Sequence, residues 1–212
     1  MKNVPEIISI LKKTYPDATI ALNFGNTWQL LVAVILSAQC TDVRVNIVTP
    51  PLFKKFPTVE DFNNCKIEDL EKMIYSTGFY RSKAKNIKGA ARMIVDKFGV
   101  EVPSTMNELL KLPGVARKTA NVVLNAGFEK SEGVVVDTHV IRISGKLKLV
   151  PSKFVKVKNA VKIEEKLMKI IPKKEWPIIS HLLIFHGRNI CIARKPNCKD
   201  CPLNKLCPSA SI

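Results

Sequence analysis

The chain has 212 residues, 46% of them hydrophobic, and a formal net charge of +16 from 34 Lys and Arg against 18 Asp and Glu. That length suffices to bury a real core in one domain or two small lobes. No apolar run approaches the roughly 18–20 residues needed to span a bilayer, which argues against a membrane protein. No apolar signal segment follows Met1-Lys2-Asn3-Val4-Pro5, so a soluble, monomeric, intracellular protein is expected. The charge calls for a polyanion partner, nucleic acid foremost.

Residues 2–16 place Val4, Ile7, Ile8, Leu11 and Tyr15 at helical spacing, and Pro16-Asp17 ends that amphipathic helix. Trp28 to Ser37 is nearly all apolar, as in a helix buried on most sides. Small and polar residues break the run at Ser37-Ala38-Gln39-Cys40-Thr41-Asp42. Thr41 or Asp42 suits the cap of the next helix, which Pro50-Pro51 is expected to interrupt or end. Thr58 caps another helix, Ile67 to Ile74 forms a short one, and Ser76-Thr77-Gly78-Phe79-Tyr80 is a turn. Ser82 to Phe98 is the clearest amphipathic helix, with Ala84, Ile87, Ala91, Ile94, Val95 and Phe98 along one side. No acidic residue lies between Glu71 and Asp96, whereas Lys72, Arg81, Lys83, Lys85, Lys88 and Arg92 do.

Ser104 to Leu110 reads as a short helix with Ser104 as its cap, and Val115 to Ala126 as a second helix. Pro113-Gly114 between them makes a tight turn, because proline presets φ and glycine reaches conformations that other residues avoid. The turn points the unpaired N–H groups of the second helix outward, where they bind an anion such as a phosphate. Gly114, Ala116 and Arg117 are the candidate backbone contacts. Lys118 comes next, in the first helical turn. The ordinary role of a lysine is a solvated surface charge. Here the helix macrodipole and the adjacent Arg117 both disfavour a cation, pushing the amine towards its neutral, nucleophilic form. Beside a sugar–phosphate backbone, such an amine can attack a deoxyribose C1′ and form a Schiff base.

Gly133-Val134-Val135-Val136-Asp137 is the one extended stretch, a connector and not part of a sheet. Asp137 suits the N-cap of a helix from Thr138 to Leu147. A capping aspartate keeps a second oxygen, which can stabilise a sugar oxocarbenium ion and move protons. Helices at Val155 to Ile171 and Lys174 to Ile190 complete an all-α pattern, and His139, His181 and His186 read as structural or hydrogen-bonding residues. From residue 133 onward there are 16 basic and 5 acidic residues.

Cys191, Cys198, Cys201 and Cys207 crowd into one irregular, proline-containing loop with the spacing C-x6-C-x2-C-x5-C. Thiols inside a cell stay reduced, so the cluster points to metal and not to disulfides. The spacing departs both from paired zinc modules and from the bacterial ferredoxin run, and on the residues alone zinc and iron–sulfur remain equally open.

LPGVARKTANVVLNAGF, VVVDTHVIRI and the cysteine tail together resemble endonuclease III, of the helix–hairpin–helix DNA glycosylase superfamily. LLVAVILSAQCTDVRVN, TGFYRSKAKNI and LIFHGRNICIARKP extend the resemblance nearly end to end. It implies two α-helical lobes: a six-helix lobe at about 21–130 containing the helix–hairpin–helix, and a lobe from both termini, about 1–20 with 131–212. That second lobe carries a 4Fe–4S cluster on Cys191, Cys198, Cys201 and Cys207.

The implied activity is a bifunctional DNA glycosylase and abasic-site lyase of base excision repair, removing oxidised pyrimidines from double-stranded DNA. The family's nucleophile falls on Lys118 and its aspartate on Asp137. Gln39 and Phe79 match the residues that fill the gap left by an extruded nucleotide, and Arg194 and Lys195 lie beside the cluster, facing DNA. Two residues depart from the family pattern. Ala116 stands where glycine is common, which is strained if its φ is positive. Phe79 stands where leucine is frequent. The alternatives are a monofunctional mismatch glycosylase, which commonly lacks the lysine, a non-catalytic damage-binding protein, and an electron carrier, which leaves the hairpin unexplained.

Overall fold

The structure, a computed structural model, describes residues 3–211; the helix start expected at residue 2 lies outside them. The described residues hold twelve α-helices and no strand, as the all-α reading expects, and no helix is long and apolar enough to cross a membrane. The chain divides into two units, Ala21–Glu132 and Met1–Ile20 with Gly133–Ile212. Helix α1 (Val4–Thr14) belongs to the unit made from both ends of the chain. The inserted unit holds α2 (Thr27–Leu36), α3 (Asp42–Lys55), α4 (Val59–Asn64), α5 (Ile67–Ile74), α6 (Tyr80–Lys97), α7 (Met106–Leu109) and α8 (Arg117–Phe128). The six helices expected there become seven when the single turn α7 is counted. Helices α9 (Thr138–Lys146), α10 (Ser152–Lys156), α11 (Ala160–Ile170) and α12 (Trp176–Asn189) return to the first unit.

In the inserted unit, α2 is buried from Leu30 to Leu36 and forms the centre, with α3, α6 and α8 packed around it. Phe62 of α4 is fully buried, its ring 5.2 Å from that of Trp28, 5.5 Å from Phe56 and 6.5 Å from Phe53. Helix α4 starts on a capping box, Thr58 and Asp61 each satisfying the other's backbone N–H. Helix α3 departs from the sequence reading: it runs through Pro50-Pro51 to Lys55. Two missing N–H donors weaken it, but Val45, Val48, Thr49 and Leu52 are buried along the same element, and packing overrides the local preference. The short helix ahead of the hairpin is capped by Thr105, not Ser104, its hydroxyl accepting from the Glu108 N–H.

The other unit draws its core from distant sequence. Val4, Ile7, Ile8 and Leu11 of α1 pack with Val134, Val136, Ile143, Ile163, Leu167, Leu182 and Leu203. The Val134–Val136 run is buried without being a strand, and Ser180 of α12 donates to the Val135 carbonyl at 2.8 Å. The long helix expected from Val155 to Ile171 is two helices. The Asn159 N–H bonds the Phe154 carbonyl and the Lys158 N–H bonds that of Val155, with Lys158 at φ 50°, so α10 closes in a Schellman turn. The Asn159 side chain then caps α11 on the Lys162 N–H.

Phe62→Ala removes a fully buried ring from a cluster of four aromatics and is expected to lower stability by about 3–5 kcal/mol. Chemical denaturation monitored by far-UV circular dichroism measures this.

Candidate functional site

The hairpin spans the residues between α7 and α8, and its turn is closed by the Val115 N–H donating to the Leu112 carbonyl at 3.1 Å. Gly114 has φ 78°, in the left-handed region, and a Cβ there would stand 2.8 Å from Asn86 Cβ on α6. Both the conformation and the space require glycine. Pro113 packs against Gly89 one turn further along α6, so the whole turn rests on that helix. The second helix begins at Arg117, two residues later than the sequence suggested, with Ala116 as its N-cap at φ −90° and ψ 169°. That is ordinary extended backbone, and alanine adopts it without strain. Ala116 supplies no side-chain oxygen to cap the helix, so the start of α8 keeps the anion-attracting character of an uncapped N-terminus. Lys118 is the second residue of α8 and is exposed.

Among the non-glycine residues of this unit, Gln39, Phe79, Val100 and Glu129 take the left-handed region, and the first two are the gap-filling candidates. Gln39, just after α2, has φ 53°, and Phe79, the N-cap of α6, has φ 48° behind Gly78 at φ 69°. Both side chains are exposed, Phe79 by 65%. A bulky non-glycine residue in the left-handed region costs roughly 1–2 kcal/mol, and such outliers concentrate at functional sites. The basic stretch around α6 is less available to a partner than the sequence suggests. Lys83 is buried, and Lys88 donates to the carbonyls of Asn63 and Cys65 at 2.5 and 2.6 Å.

In the other unit, Asp137 is the N-cap of α9: its Oδ1 accepts from the Val140 N–H at 2.8 Å, while Oδ2 is not used by the cap. It is half-buried, and the buried Val134–Val136 run fixes it to the core.

All four cysteines of the tail line one pocket, with Ile143, Leu147, His186 and Leu203 among its walls. Leu203, between Cys201 and Cys207, is buried in the core and holds the loop down. Burial pushes the Cys191 and Cys201 thiols up, and the Ser211 backbone and hydroxyl hydrogen bonds pull Cys198 down. Among the described residues, no three His, Cys, Asp or Glu groups come close enough to hold a single metal ion. Four thiols lining one pocket are a donor set for a thiophilic metal group.

His186, read from the sequence as structural or hydrogen-bonding, hydrogen-bonds the Tyr15 hydroxyl through Nδ1 at 3.1 Å and lies 3.7 Å from Cys201 Sγ through Nε2. Burial, with the Arg142 charge adding to it, pushes this histidine down to about 4. Arg142 itself donates to the carbonyls of Gly187 and Cys191 at 3.1 and 2.8 Å, closing the end of α12 onto the first cysteine. Neither residue carries a local sequence signal for this role. Arg194 and Lys195 are exposed in the irregular segment between α12 and Cys198.

Residues 32–173 match the model of the HhH-GPD superfamily base excision DNA repair protein family. The endonuclease III of Synechocystis sp. is 54% identical over 205 residues, covering 97% of this chain and 91% of that protein. The endonuclease III of Bacillus subtilis is 44% identical over 210 residues, covering 98% and 94%. A solved endonuclease III, trapped as a covalent intermediate with DNA, superposes with a TM-score of 0.90 at 44% identity, over 98% of this chain and 95% of that one. The chain belongs to the endonuclease III family, within the HhH-GPD superfamily of base excision DNA repair proteins.

Proposed function

We propose that Lys118 is the residue through which this base excision repair enzyme, a DNA glycosylase and abasic-site lyase, performs both of its steps. The observation that carries the reading is the placement of an exposed lysine directly behind an uncapped helix N-terminus that a Gly114 turn presents. The hairpin N–H groups hold a phosphate of the damaged strand of duplex DNA, and Arg194 and Lys195 add salt-sensitive contacts to the backbone. The damaged nucleotide is extruded, and Gln39 and Phe79 fill the space it leaves.

Lys118 Nζ then attacks the deoxyribose C1′. The N–C1′ bond forms as the glycosidic bond breaks, and the electron pair leaves with the base, which takes up a proton. Asp137 stabilises the positive charge that develops on the sugar, and its carboxylate moves protons to and from the amine. Opening of the ring C1′–O4′ bond gives the Schiff base. Removal of a C2′ proton expels the 3′ phosphate by β-elimination, which cuts the strand, and water hydrolyses the Schiff base to free Lys118. The family likeness supports oxidised pyrimidines as the bases removed.

Cys191, Cys198, Cys201 and Cys207 hold a 4Fe–4S cluster. Their shared pocket, their thiol donor chemistry and their anchoring through Leu203 support it. When bound, the cluster cross-links a tail that has one short 3-10 turn and little other regular structure.

Lys118→Ala is expected to abolish the covalent adduct that borohydride traps on abasic-site DNA. An undiminished adduct overturns the nucleophile assignment, and base release without strand nicking by the wild-type protein favours a monofunctional enzyme. Gly114→Ala forces Asn86 aside and strains the turn, and is expected to weaken binding to abasic-analogue duplex by about tenfold or more, which anisotropy titration measures. Cys201→Ala is expected to lower the iron and acid-labile sulfide content per chain and the melting temperature together. Unchanged iron content counts against the cluster assignment.

A further inference from the structure

Lys83 is 4% exposed, in the first turns of α6. Its ammonium donates to the carbonyl of Leu36 at 2.8 Å and to that of Thr77 at 2.8 Å. Leu36 is the last residue of α2, and Thr77 the last of the 3-10 turn Tyr75–Thr77. Each carbonyl sits at a helix C-terminus, where the last acceptors lack intrahelical donors and a cation is favoured. One buried charge therefore closes two helix ends that lie 41 residues apart in sequence. Burial pushes Lys83 below the ordinary lysine range, with the Cys40 thiol opposing.

Just beyond each closed helix end stands a non-glycine residue in the left-handed region. Gln39 comes three residues after Leu36, and Phe79 two residues after Thr77. The backbone N–H of Lys83 donates to the Phe79 carbonyl at 3.0 Å, the first intrahelical bond of α6, so the Lys83 side chain starts one turn from Phe79. Left-handed, exposed side chains persist where their surroundings over-determine them. Here one ammonium joins the segments that precede both residues.

We propose that Lys83 is a positioning residue, its ammonium fixing the two loops that place Gln39 and Phe79 in the gap of the extruded nucleotide. The proposal rests on the gap-filling roles of Gln39 and Phe79. Lys83 touches neither DNA nor the reacting sugar, and its effect falls on duplex opening, not on Schiff-base chemistry.

The test uses the full-length protein loaded with its cluster and a duplex carrying a tetrahydrofuran abasic analogue beside 2-aminopurine. Insertion into the gap unstacks the reporter and raises its fluorescence. At saturating protein, Lys83→Met is expected to reduce the rise by about tenfold or more, since two hydrogen bonds to a charged group are lost. Lys83→Arg, which keeps charge and donors, restores part of it. Circular dichroism and borohydride trapping on a single-stranded abasic oligonucleotide, which has no duplex to open, establish that the variants are folded and chemically competent. Should Lys83→Met fail these controls, Lys83→Gln takes its place.

A wild-type rise in a folded Lys83→Met or Lys83→Gln protein, with the rise lost in Phe79→Ala and Gln39→Ala, overturns the Lys83 assignment alone. A full rise in Phe79→Ala and Gln39→Ala overturns the gap-filling reading, and the proposal with it. Equal loss of the duplex signal and of single-stranded trapping in both Lys83→Met and Lys83→Gln marks a merely structural role and also overturns it.

Discussion

The approach of Gly114 to Asn86 is the constraint on which the presentation of Lys118 depends. A backbone at φ 78° with no side chain lets the hairpin lie against α6 and sets where α8 begins. One residue of delay in that start changes which side chain occupies the second helical position, since successive residues on a helix point about 100° apart. The same turn puts Ala116, which offers no capping side chain, at the start of α8, so the proposed phosphate contact and the lysine placement depend on one piece of backbone. Ala116 fits because the N-cap needs extended backbone, which puts no premium on glycine.

The unit made from both ends of the chain obeys a different logic. Its core requires α1 as well as α9, α11 and α12, so residues near the start of the chain are bound into the fold that supports the cysteine tail. Asp137 serves the core through its cap and is also the carboxylate proposed for the chemistry. Capping α9 with one oxygen stabilises the helix by about 1 kcal/mol and fixes the direction of the other oxygen. The tail has little regular structure of its own. It is held by Leu203 and by the Arg142 bonds to the Gly187 and Cys191 carbonyls, and its four thiols line one pocket.

Positive charge in this protein serves two purposes that composition merges. Lys83 and Lys88 lie in a stretch of α6 whose sequence reads as a basic face, yet both spend their ammonium groups on backbone carbonyls inside their own unit. A buried ammonium costs desolvation, and the carbonyls at helix ends are the acceptors best placed to offset it. Net charge therefore overstates the surface offered to DNA.

The sequence by itself determined the all-α class, most helix positions and the turn glycine, and it singled out Lys118, Asp137 and the four cysteines as candidates. The helices and the glycine rest on local rules, apolar periodicity and capping and turn preferences, while the roles of the lysine, the aspartate and the cysteines rest mainly on the family resemblance. It misjudged α3 at Pro50-Pro51, because burial of Val48 and Leu52 is a tertiary fact that outweighs a local hydrogen-bond loss. It also missed the break between α10 and α11, where Lys158 takes a left-handed conformation that lysine does not advertise. What tertiary structure alone decided is which side chains meet across long stretches of sequence. Lys83 with Leu36, Tyr15 with His186, and Gly114 with Asn86 are such pairs. No periodicity encodes them, because they arise only when separate helices pack.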